Sequence, residues 1–136
     1  MRIAVILLLM AATVAAIVIL LRTRTAPSRY VEGGLYSVTA ENGRYAVVKI
    51  LRTDSRGVHL RLYSNIFHER PRRVDPQALY LAGMDHKPDE QLGMGHAPLS
   101  YESFRTWGAV FIQKEAVQAN ELDGYNMWKE AKGGYF

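Results

Sequence analysis

The stretch "LYSVTAENGRYAVVKILRT", residues 35–53, decides the fold. Two runs rich in Val, Tyr, Ile and Thr flank Asn42-Gly43, the strongest short-range hairpin signal, because both residues accept positive φ. In the second run Tyr45, Val47 and Lys49 point one way, and Ala46, Val48 and Ile50 the other. A second turn, "DSRG" at 54–57, leads into "VHLRLYSN", where Val58, Leu60 and Leu62 alternate with His59, Arg61 and Tyr63. That period of two predicts a half-buried strand with a basic, aromatic outer face. Three antiparallel strands in a meander are expected.

Beyond Asn65 the pattern changes. Pro71 and Pro76 confine any strand in "FHERPRRVDPQALYL" to short pieces or an edge. "AGMDHKPDEQLGMGHAP", residues 82–98, is punctuated by glycine and proline and reads as a loop. "PLSYESFRTW" predicts a short helix with Ser100 as its N-cap, and "AVFIQK" a final strand. "VQANELDGYNMWKEAKGG" predicts a C-terminal helix that stops at Gly133. The fold class is therefore α+β: a small antiparallel, strongly curved sheet or partly open barrel, with a short helix and a C-terminal helix, behind an N-terminal transmembrane helix. The glycine-rich entry "EGGLYSV", the tight turn and the strand "GRYAVVKIL" resemble those of SH3-like and Tudor-like barrels, over Gly33 to Leu81. The resemblance implies a module that binds peptides or nucleic acids through aromatic loop residues, but it carries over no individual functional residue.

The transmembrane helix is read from Ile3–Leu21, nineteen uncharged residues, all Ile, Leu, Val, Ala or Met except Thr13. As a helix they cover about 28 Å, the thickness of a bilayer's hydrocarbon layer. A cleaved signal has a shorter apolar region followed by small residues, whereas here Ala11, Ala12, Ala15 and Ala16 lie inside the run. The expected organisation is an anchor at 1–24, a linker at 25–33 and a domain at 34–136. Arg22, Arg24 and Arg29 behind the run, against Arg2 and the α-amino group before it, tilt the domain toward the cytoplasm. The absence of cysteine excludes a lipidated-cysteine anchor and fits either compartment.

The net charge of +4 belongs mainly to the anchor's flanks: without Arg2, Arg22 and Arg24 the balance is 14 basic to 13 acidic residues, which argues against a nucleic-acid partner. Within the domain the charge is uneven, +4 over Arg52–Arg73 and −5 over Val74–Glu130. The candidate partner-binding residues are His59, Arg61, Tyr63, Phe67, Arg70, Arg72 and Arg73, a stacking surface beside cations. The competing reading is structural: Tyr63 and Phe67 close one end of the core, and the arginines pair with the acidic C-terminal half.

Candidate metal ligands are Asp85, His86, Asp89 and His96, although nothing gives them the fixed spacing of a zinc site, and no cofactor is expected. His96, between Gly95 and the expected helix, is also a candidate anion contact. No serine sits in a nucleophile elbow and no phosphate-binding glycine loop is present. The reading that results is a membrane-tethered module that presents a small β-rich domain to a protein partner, more a binder than an enzyme. The alternatives are an anchored hydrolase or metal protein using the 85–96 loop, and a nucleic-acid binder using the 59–73 face. "GGYF", residues 133–136, is either a docking tail for a partner or a frayed end.

Overall fold

Asn42-Gly43 turns the chain as expected. In the computed structural model, which describes residues 29–136, β1 (Gly34–Thr39) enters a 3-10 turn at Glu41–Gly43 and returns as β2 (Tyr45–Thr53). Asn42 (φ 56°) and Gly43 (φ 68°) both take the left-handed backbone, which costs these two residue types least. The next turn is closed by Asp54, whose Oδ1 accepts the backbone N–H of Arg56 at 2.7 Å and of Gly57 at 3.1 Å. β3 (Gly57–Leu62) follows, then β4 (Met94–Ser100) and β5 (Val110–Lys114). All pairings are antiparallel, in the order β4-β3-β2-β1-β5.

The helices are short. Ser100 caps α1 (Tyr101–Arg105) by accepting the Ser103 N–H at 3.1 Å, as its position before "YESFR" requires. After β5 a 3-10 turn at Ala119–Leu122 leads into α2 (Asp123–Glu130). The anchor expected at 1–24, and the linker up to residue 28, lie outside the described residues, among which no helix is long and apolar enough to cross a membrane.

One sheet face forms the main core. Alternation delivers Tyr36 and Val38 from β1, Ala46, Val48 and Ile50 from β2, and Val58, Leu60 and Leu62 from β3 to the same side, where Ala97, Leu99 and the fully buried Phe104 of α1 meet them. Burying each large aliphatic side chain there contributes about 1.5–3 kcal/mol.

The structure corrects the sequence reading at three places. The face expected to be outer is covered: His59 is 1 % exposed and Tyr63 8 %, because residues 67–79 close one end of it and the C-terminal segment the other. "MGHAPLS" is a strand where a loop is expected. Pro98 is tolerated because β4 is an edge strand, and a register shift between Leu60 and Leu62 absorbs the extra residue around His96. The C-terminal helix is stopped past Glu130 by the left-handed Lys132 (φ 51°), whose N–H bonds Lys129 O at 3.2 Å while Gly133 N–H bonds Trp128 O at 2.9 Å. Gly133 is needed instead for close approach, since a Cβ there would run into the Trp128 indole.

Candidate functional site: a histidine pair under the C-terminal segment

The site begins with strand register. His59 of β3 faces Pro98 of β4, so His96, two residues before Pro98, is its diagonal neighbour on the same face. His59 Nδ1 and His96 Nε2 lie 2.9 Å apart. The ring planes are within 8° of parallel, and the 5.2 Å between ring centres is close to that N···N distance plus the two ring radii, so the rings meet edge to edge rather than face to face. On the other side His59 Nε2 lies 2.8 Å from the Tyr135 hydroxyl, which in turn contacts Asp54 Oδ2. Asp54 is held for this contact by the β2–β3 turn it closes, and Tyr101 of α1 braces that turn by donating to Asp54 O at 2.6 Å.

Donor and acceptor roles follow from the carboxylate, which can only accept. Tyr135 donates to Asp54; its oxygen accepts from His59 Nε2–H; His59 Nδ1 accepts from His96 Nε2–H. Each neutral ring then keeps its Nδ1 unprotonated: that of His59 accepts within the chain, and that of His96 ends it.

Electrostatics keep both rings neutral near pH 7. Burial pushes His59 below its ordinary value, and the Asp54 carboxylate, 3.6 Å from its Nε2, only partly offsets this. Burial, followed by the adjacent His59, pulls His96 down to about 4. Burial alone would raise Asp54, but hydrogen bonds from Tyr135 and the Arg56 and Gly57 N–H groups, with His59 Nε2 3.6 Å away, together hold it below its usual range. Burial and the bond to Asp54 raise Tyr135.

Aromatic rings from the C-terminal segment close the site. His59 meets Trp128 at 4.4 Å, Tyr125 at 4.7 Å and Tyr135 at 5.3 Å between ring centres. α2 approaches this closely only because Gly124 has no side chain: a Cβ there would lie 2.6 Å from His96 Cβ. Residues 133–136 are strapped down as well. Trp128 Nε1 donates to Gly134 O at 2.8 Å, Phe136 N–H to Pro98 O at 3.1 Å, and Ser100 N–H to Phe136 O at 2.9 Å. Phe136 thus pairs with the outer edge of β4, while the Arg56 guanidinium lies 5.1 Å from the Tyr135 ring centre.

The same face carries a second, ionic fastening. Lys49 Nζ donates to Glu121 at 2.8 and 3.1 Å and to Ala116 O at 2.7 Å, with both side chains about nine-tenths buried. Burial alone would raise Glu121, but Lys49, the Gln118 N–H and Arg61 hold it below its ordinary value. Arg61 stands 3.8 Å from Glu121, and its buried Nε has no partner among the described residues.

The seven candidate partner-binding residues are not gathered on one surface. His59 and Tyr63 are buried; burial, then the Glu121 charge, lifts the Tyr63 phenol to about 12. Phe67 is half-buried against Leu35, Val47 and Tyr63, the arrangement of the structural alternative. Arg70 lies 4.5 Å from the Tyr45 ring centre and donates to Ser37 O, Ser37 Oγ and Gly108 O. Arg72 and Arg73 are exposed.

No protein-family model, curated protein or solved structure matches the chain. The side chains themselves therefore carry any functional reading. Among the metal candidates, Asp85, His86 and Asp89 are exposed, and His86 Nδ1 faces Lys87 O. His96 has turned to His59, and among the described residues no three His, Cys, Asp or Glu side chains converge. His96 is also no anion contact at a helix start, since α1 begins only at Tyr101. Asp54, Tyr125, Trp128 and Tyr135 were not singled out from the sequence as partners of a histidine. The available signal was the alternation that puts His59 beside Arg61, together with an aromatic-rich C-terminal segment able to cover that face.

Proposed function

We propose that the chain is a membrane-tethered interaction module whose C-terminal arm is an acid-sensitive latch over a partner-binding edge. The observation that carries this reading is the continuous chain Asp54–Tyr135–His59–His96, which ties residues 133–136 to the sheet while Phe136 occupies the outer edge of β4. In the latched form His96 titrates near 4, whereas a released, hydrated histidine titrates near 6.5. Protons therefore bind the released form better, and falling pH favours release. Release uncovers the backbone groups of Pro98 and Ser100, to which an extended segment of a protein partner adds as a strand.

The tether is the apolar run Ile3–Leu21 with its arginine flanks, and the cytoplasmic side is the orientation those flanks favour. The four-strand meander, with β5 returning to β1, supports the resemblance to SH3-like barrels carried by "EGGLYSV" and "GRYAVVKIL", and with it a strongly curved or partly closed sheet.

Amide exchange at Ser100 and Phe136 in the full chain tests the latch. Protection, corrected for intrinsic exchange, falls as pH drops below about 6.5, and His96→Gln removes most of that dependence. Unchanged protection down to the carboxylate range defeats the latch. Protease accessibility of a C-terminal tag, in intact and opened cells, tests the tether and its orientation.

A further inference from the structure

β5 is the outer strand of the sheet at the end remote from β4, and its side chains do not suit a water-facing edge. Val110 is 48 % exposed and Phe111 52 %, with Val31, 42 % exposed, also at this end. Together with Arg29 and Tyr36 these residues line an open cavity of about 400 Å³, and the Phe111 ring meets Tyr36 edge-on at 5.5 Å. An apolar edge of this kind left in water invites pairing with other chains, so a natural domain covers it.

We infer that this face rests on the surface of an anionic lipid bilayer. The inference deepens the membrane-tethered reading and rests on it. The apolar run ends at Leu21, and residues 22–28 reach at most about 25 Å even when fully extended. The first described residue after them, Arg29, belongs to the cavity itself. A bilayer holding the run is thus always within reach of Val31, Val110 and Phe111, and the cost of bringing that face to the surface is largely met by the tether. The chemistry matches: aromatic and aliphatic side chains enter the headgroup region, while Arg29 and the exposed Lys114 at the end of β5 meet lipid phosphates. The β4 edge, where Phe136 pairs, lies at the other end of the strand order.

The natural chain has no cysteine, so single-cysteine labelling reports one site at a time. The full chain is placed in lipid nanodiscs with an environment-sensitive fluorophore at Phe111→Cys, or at Met127→Cys on α2, where the native side chain is even more exposed (71 %) but the helix packs by β4 instead of β5. Emission at 111 shifts to the blue and is quenched by nitroxide-bearing lipids, more in anionic than in zwitterionic discs, while emission at 127 is not. Equal quenching at the two sites overturns the inference, and so does a label at 111 that reports a second copy of the chain instead of lipid. Val110→Cys repeats the contrast in case a change at Phe111 disturbs its packing on Tyr36. Retention after alkaline carbonate reports the span separately: a chain retained but not quenched at 111 keeps the tether and loses the docked face.

Discussion

The two ends of one sheet face, fastened by the same C-terminal segment, differ in the charge they bury. At the Lys49 end a full ion pair is buried and almost every polar atom of Lys49 and Glu121 is bonded, so the fastening holds wherever Glu121 is ionised. At the His59 end the links are neutral rings and a phenol, anchored on a carboxylate whose side chain is 42 % exposed. The first resists both water and pH; the second yields where histidines ionise. A single segment can therefore stay attached at residues 116–121 while its last residues let go.

The largest effect expected from breaking this contrast comes from Glu121→Ala, which strands the Lys49 charge and costs about 3–5 kcal/mol in denaturant unfolding. The paired change Lys49→Met with Glu121→Leu restores most of that loss, since a buried ion pair is close to neutral against an apolar pair of similar volume. Gly124→Ala comes next: its methyl must push α2 away from His96, a loss of about 1–3 kcal/mol seen in Tm, with altered Trp128 fluorescence. Tyr135→Phe removes one hydroxyl between Asp54 and His59, costs about 1 kcal/mol and frees the Phe136 amide to exchange while that of Lys49 stays protected. Smallest near neutrality is the pH effect itself. Both histidines are depressed in the fold, so the unfolded chain binds more protons and stability declines as pH falls from about 6.5, continuing toward the folded value of about 4 for His96. Asp54 and Glu121, also depressed, add their loss only at lower pH. A stability that rises on acidification from 7 to 5 would contradict the burial of the two histidines as neutral rings.

Much of the sheet was legible because its signals are local. Asn42-Gly43 must turn, Asp54 and Gly57 must turn, and the alternation of Val58, Leu60 and Leu62 commits one face to the core. The Ser100 cap was legible for the same reason. β4 was not, since Gly95 and Pro98 are poor strand residues, and only the waiting edge of β3 makes the segment a strand.

The candidate site lies further from the sequence. His59 and Tyr63 stood out as a binding surface because a polar alternating face normally meets water, and nothing in a period of two says what packs above it. His96 drew attention as a loop ligand; its true neighbour is 37 residues earlier in the chain.

By itself the sequence determined an apolar run long enough for a bilayer, a hairpin-rich sheet and the inward set of apolar side chains, all properties of neighbouring residues and their backbone preferences. Only the tertiary structure decided that the second face is covered, that Lys49 finds Glu121, and that Asp54, Tyr135, His59 and His96 form one line. Those contacts join residues up to 81 positions apart, and they are selected by the cost of leaving a buried polar group unpaired, which exists only once the chain has closed over it.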